Sequence, residues 1–212
     1  MEGLDDSYYI ISRDGSKHEG VIFAVGDAET HAVKYGTRYL EAGRAMFFRN
    51  THAEDWRRKG IEENVGDIIF HGSHLIIKKK IRDQLLKYPM QGVQYYPAVY
   101  TDIDGNNHYD YFFVNIYEDQ DWCYIERSQL DHRGQKRLDR GDEPGVESIV
   151  LDFHKMLLVP EDERLIFSMG NIDMGKPIIH KKVKDIFEQF NLVDTRFFRV
   201  DEWEDGAHLF PE

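Results

Sequence analysis

The sequence has one cysteine, Cys123, in 212 residues. An internal disulfide is therefore impossible, and no cysteine-based metal site can form. Positive charge is also scarce: 27 Lys and Arg stand against 39 Asp and Glu, a formal net charge of −12. A surface built to track nucleic-acid phosphates needs the opposite balance, so nucleic acid is not the expected partner. There is no run approaching the ~20 apolar residues of a membrane-spanning helix. The N-terminus Met1–Ser7 is acidic, and the apolar run after it, Tyr8–Ile11, is too short for a secretory signal. These absences lead us to expect a soluble, cytoplasmic protein with no membrane partner.

Catalytic signatures are missing as well. The chain has no GxSxG, no HExxH and no glycine-rich phosphate loop followed by Lys-Ser/Thr. His71 and His74 are three residues apart, but no third ligand is marked by spacing, and a catalytic zinc needs three protein ligands. Asp102, Asp104 and Asn106 imitate the start of a calcium loop. Its sixth and twelfth positions, however, fall on Asn107 and Phe113 where glycine and a bidentate acid are required. We therefore expect no cofactor, no metal and no catalytic residues. The rival expectation is a small-molecule hydrolase or transferase with scattered carboxylates and histidines, His71, His74 and Asp102 first among them.

Aromatics make up 13% of the chain, enough to build a substantial core. Tyr8–Ser12 and Val21–Val25, separated by the turn-rich RDGSKHEG, predict an N-terminal hairpin. Ala28–Leu40 has a weak helical pattern, and Thr51–Asn64 reads as a polar helical turn or loop. Val93–Tyr100 and His108–Tyr117 flank TDIDGNN, where Asp-Gly supplies the positive φ of a tight hairpin turn. Phe112, Val114 and Ile116 fall on one face of the second run and Tyr109, Tyr111 and Phe113 on the other, as in a central strand. Asp131–Gly145 has almost no apolar content and reads as an exposed, irregular loop.

One stretch occurs twice. Ile76–Tyr96 (IIKKKIRDQLLKYPMQGVQYY) recurs 102 residues later as Ile178–Phe198 (IIHKKVKDIFEQFNLVDTRFF). Ile77, Ile81, Leu85 and Tyr88 share a helical face in the first, as do Ile179, Val183, Phe187 and Phe190 in the second. With an apolar run before each, the pattern predicts a repeated strand–helix–strand unit. The expected fold is α+β, with mixed, mainly antiparallel sheets and helices on one face. Residues 1–66 are expected as an N-terminal hairpin and irregular segment packed on a main body, 67–212.

Two features oppose local rules. Both repeat helices start with cations, Lys78–Lys80 and His180–Lys182, which oppose the helix dipole and suggest an external anion or acidic group at those ends. Acids also crowd two tryptophans. Asp119, Asp121 and Glu126 flank Trp122, and Asp201, Glu202, Glu204 and Asp205 flank Trp203. An aromatic anchor rimmed by acids is a docking surface for a basic protein, the ring supplying buried area and the charges speeding encounter.

The order of these pieces resembles a known family. An apolar pair opens the helix KKKIRDQLL, and the strand VQYYPAV, the segment YFFVNIYEDQDWCYIERSQ, SIVLDFHKMLL, LIFSMG and IIHKKVKDIFEQFNLVDTRFFRV follow. Together, over roughly 68–200, they are similar to immunity protein family 11 of bacterial polymorphic toxin systems. Where that family commonly has serine then glutamate at the helix starts, this chain has Lys78-Lys79 and His180-Lys181. The resemblance implies a non-enzymatic protein that binds and neutralises one cognate toxin by occluding its active site, with no catalytic residues to carry over. A basic toxin, such as a nuclease, suits a partner of this charge.

Overall fold

A computed structural model describes residues 5–14, 22–36 and 38–206. The first half contains β1 (Tyr8–Arg13), β2 (Ala24–Gly26), α1 (Ala28–His31), β3 (Met46–Asn50), α2 (Ala53–Lys59), β4 (Ile68–His71), β5 (His74–Lys78), α3 (Lys79–Leu85), β6 (Val93–Thr101) and β7 (Asn107–Ile116). The second contains β8 (Gln129–Leu130), α4 (Gly134–Leu138), β9 (Val146–Ser148), α5 (Phe153–Met156), β10 (Ile166–Phe167), β11 (Ile178–His180), α6 (Lys181–Phe187) and β12 (Thr195–Arg199). Strands β2-β3-β6-β7-β5-β4 form a six-stranded sheet, β10-β11-β1-β12 a four-stranded one, and β8 pairs with β9. All pairings are antiparallel except β3 with β6. The fold is α+β and mainly antiparallel, as the alternating runs predict.

The clearest local signal holds. β6 and β7 form a long hairpin whose turn places Gly105 at φ 88°, a conformation that a Cβ would oppose. Asp102 ties the turn by accepting from the backbone N–H of Asp104 and Asn106, at 3.0 and 2.8 Å. β7 lies between β6 and β5, and both its faces are covered. Phe113 and Tyr111 belong to one core; Val114, Ile116 and the half-buried Phe112 belong to another.

That second core lies between the two large sheets. Ile68, Leu75 and Ile77 of the six-stranded sheet meet Ile11, Ile166 and Ile179 of the four-stranded one, with Ile81 and Leu85 of α3 and Val183 and Phe187 of α6 among them. The opposite face of the four-stranded sheet carries a third core around Tyr8, Ile10 and Ile178, which also takes Trp122 and Trp203.

The N-terminal hairpin does not form. β1 runs between β11 and β12, whereas β2 joins the six-stranded sheet beside β3; the intervening residues 15–21 lie outside the described ones. Tyr8, Ile10 and Ile11, all buried, find better cover inside the distant sheet than a two-stranded ribbon offers. Residues 1–66 thus contribute strands to both sheets, where the sequence suggested a segment laid on a separate body. The expected helix at Ala28–Leu40 is confined to α1. Asp131–Gly145 is more ordered than its composition suggests: it contains α4, and Asp131 N–H donates to the Gly145 carbonyl at 3.0 Å.

Each of the two similar stretches runs strand, helix, strand, but the apolar pairs Ile76-Ile77 and Ile178-Ile179 belong to the strands. β-branched residues buried on both faces favour the sheet ladder over the helical spacing. The helices begin at Lys79 and Lys181 and bury only Ile81 with Leu85, and Val183 with Phe187. Register agrees across the two. Ile76 faces Phe113, which faces Tyr96; Ile178 faces Ile10, which faces Phe198. β1 thus holds the place beside β11 and β12 that β7 holds beside β5 and β6.

The lysines at the helix starts need no external anion. Lys78 and Lys80 reach the buried Asp67 at 3.3 and 2.6 Å, and Asn191 N–H donates to the same carboxylate. Burial opposes ionisation of Asp67, yet Lys80, the Asn191 amide and Lys78 together hold its pKa below the ordinary value. Lys79 pairs with Asp83 and Lys181 with Asp185, one turn along their own helices. Lys182 lies 2.6 Å from Glu161 and 2.7 Å from Asp162. At the second helix His180 is the cap, its Nδ1 accepting from Lys182 N–H at 3.2 Å.

Candidate functional site

The docking surface expected around the tryptophans has no exposed anchor. Trp122 is 7% exposed and Trp203 1%, both within the core behind the four-stranded sheet. The Trp122 ring meets Phe167 edge-on at 4.8 Å, and Lys176 Nζ lies 5.5 Å from the Trp203 ring centre. Strand alternation explains the first case. Gln120 bridges Met169 as an isolated β-pair, so Asp119 and Asp121 share the outward face while Trp122 turns in. What read as an aromatic anchor with an acidic rim is a core ring with solvated neighbours.

The acids around the rings fare differently. Asp201 and Glu202 both pair with Arg199, at 2.6 and 3.4 Å, and Asp205 lies 3.6 Å from Lys176. Glu126 and Glu204 are exposed and make no ion pair among the described residues. Asp119 and Asp121 have no cation within ion-pair reach among the described residues, and neither has Glu143, which the fold brings up beside Asp119. Burial, then Glu143, then Asp121 push the Asp119 carboxyl above its ordinary pKa.

Asp119 and Glu143 rim a cleft between the six-stranded sheet and the loop joining β10 to β11, about 250 Å³ in volume. Leu75, Val114 and Ile116 form one wall and Met169, Ile172 and Pro177 the other; Asp119, Glu143 and Asp173 stand at the mouth with Lys176, and His74 lines the interior. Asp173 is matched by Arg137 at 2.7 Å, and Lys176 by Asp205. Backbone bonds hold the acidic loop in place: Gln120 N–H donates to Ser168 at 2.8 Å and Gly170 N–H donates back to Gln120 at 3.0 Å. Gly170 permits this approach, since a Cβ there would lie 3.0 Å from Asp119 Cβ and 3.1 Å from Asp121 Oδ1.

The far side of the cleft is set by Asn115, fully buried on β7. Its Oδ1 accepts from Gly36 N–H at 2.7 Å, and its Nδ2 donates to Arg38 O at 3.0 Å and Gln94 Oε1 at 3.1 Å. This pins Gly36 and Arg38 to β7, with Gly36 beside His74. Replacing Asn115 with alanine leaves those groups unpaired in the interior and should lower stability by about 1–3 kcal/mol in a urea titration. A midpoint equal to wild type would show that Gly36 and Arg38 are held by other means.

The histidines separate clearly. His71 Nδ1 donates to Ala24 O at 3.0 Å, which leaves Nε2 to accept from the Tyr35 hydroxyl at 3.1 Å. The His74 side chain makes no hydrogen bond within the described residues. Burial first, and His71 second, lower its pKa to about 4, so it is neutral at physiological pH. Asp102 lies in a different hollow with Arg57 and Glu63, and pairs with His108 at 2.9 Å. Of the suspects for a hydrolytic site, only His74 reaches the cleft. Among the described residues no three His, Cys, Asp or Glu are grouped to hold a metal ion.

No protein-family model matches the chain, and no curated protein matches it. No helix among the described residues is long and apolar enough to cross a membrane. Sequence reasoning singled out Asp119, Asp121 and His74 but missed Glu143. That residue sits in a loop with almost no apolar content, and only the return of the chain from Asp131 to Gly145 brings it to Asp119.

Proposed function

We propose that this chain is a non-enzymatic immunity-type protein of the cytoplasm that binds and neutralises a cognate basic toxin by covering its active site. The observation that carries the reading is the unneutralised acid at the cleft mouth. Asp119 and Glu143, with Asp121 beside Asp119, crowd one another and have no ion-pair partner among the described residues, at a cost in electrostatic repulsion. A protein that retains such repulsion is suited to a partner that relieves it. The resemblance of 68–200 to immunity protein family 11 agrees, as does the net charge of −12, which opposes a nucleic-acid partner. We read the two strand–helix–strand stretches as copies of one unit, a reading supported by their common 102-residue offset in sequence and register. They form the scaffold, and the loops between them carry the binding surface.

Co-expression with the toxin encoded beside this gene tests the proposal. Growth should be restored, and the two proteins should co-purify at low salt and separate as salt rises. Continued toxicity together with no co-purification overturns it.

A further inference from the structure

We infer that His180 is an acid-operated switch at the joint between α6 and the turn Glu161–Glu163, one ring with two alternative partners. In the neutral state its Nδ1 accepts from Lys182 N–H at 3.2 Å and caps α6. With Nδ1 accepting, the ring proton is on Nε2, which lies 4.0 Å from Glu161 Oε2, beyond hydrogen-bond reach. A second proton must go on Nδ1, where it turns the cap acceptor into a donor facing another donor. The imidazolium then gives up Lys182 N–H and is drawn to the Glu161 carboxylate. The cap belongs to the neutral ring and the ion pair to the charged one.

Three elements enclose the ring. From β1, Tyr8 meets it edge-on at 5.0 Å. The turn and the residues after it bring Glu161, Asp162 and Arg164, and α6 brings Lys182. Arg164 is itself buried, donating to Val159 O at 3.0 Å and to the Tyr8 hydroxyl, with no ion pair among the described residues. A charged His180 therefore joins two cations already present. It competes with Lys182 for Glu161, while Asp162, 2.7 Å from Lys182, keeps that lysine in place. Burial holds the His180 pKa below its ordinary value; Glu161 opposes the shift, Lys182 and Arg164 add to it, and Asp162 opposes it. At physiological pH the ring is neutral and α6 is capped.

The first copy supplies a control. Lys78 holds the same position before α3 with nearly the same backbone, φ −68° and ψ 153° against −76° and 154°. Its side chain caps nothing, and a lysine ammonium has no lone pair to lose on acidification.

NMR of the full chain between about pH 8 and 4.5 tests the switch. Ring nitrogen shifts should show the Nε2–H tautomer at the upper end. As His180 titrates, the Lys182 amide should shift with the same midpoint. Its hydrogen-exchange protection should fall by about tenfold, and that of Lys80 should not. His180→Asn keeps a cap oxygen in place of Nδ1 and cannot titrate, so it should abolish the step at Lys182. The wild-type measurements decide the matter even if this variant does not fold. An Nδ1–H tautomer, a Lys182 amide indifferent to the ring, an equal fall at Lys80, a step retained in the variant, or unfolding before the ring titrates overturns the inference.

Discussion

Phe187→Ala should lower the stability of this protein by about 3–5 kcal/mol, more than any substitution at the acidic cleft. Phe187 is fully buried on α6, in the one core that both large sheets and both α3 and α6 share. Its ring lies 6.5 Å from that of Phe197 on β12. Removing it opens a cavity that Val183, Ile81 and Leu85 can fill only partly, because each is itself packed at 0% exposure. In a chain of this size each kcal/mol moves Tm by roughly 2–4 °C, so a fall of about 10 °C is expected. Leu158→Ala is the control. Leu158 is 84% exposed, and its loss should stay within about 0.5 kcal/mol. Comparable Tm changes for the two variants would mean that the inter-sheet core is not the centre of stability.

The same core shows which parts of the fold are readable from sequence. Local chemistry encodes the β6–β7 hairpin completely, since Asp-Gly and the apolar runs beside it need no distant information. The buried positions Ile81, Leu85, Val183 and Phe187 follow from spacing of three and four. Ile76-Ile77 and Ile178-Ile179 fit the helical period equally well, and only the strands on either side decide that they are sheet. β1 pairs with strands about 170 and 190 residues away, and nothing within Tyr8–Arg13 distinguishes that from a hairpin with its neighbour. The lysines looked unpaired because Asp67 and Glu161 meet them only after folding. At the candidate site the acids were legible as composition. Which of them stay unneutralised was not, because Arg199 and Lys176 reach the tail acids but not Asp119.

Acid should weaken the fold, and His74 is the main reason. Its pKa in the folded chain is about 4, against an ordinary value near 6.5, because burial and the neighbouring His71 disfavour the imidazolium. A histidine depressed in this way binds protons more readily when unfolded. The stability it contributes is therefore complete above pH 6.5 and is lost as pH falls from 6.5 towards 4. The depression corresponds to at most roughly 3 kcal/mol over that interval, at about 1.4 kcal/mol per unit. His180, also depressed by burial, adds to the loss in the same direction. Replacing His74 with phenylalanine, a ring of similar shape among Tyr35 and Phe113, should remove most of the slope in urea midpoints between pH 7 and 4.5. A variant whose midpoints fall as steeply as wild type would place the acid sensitivity elsewhere.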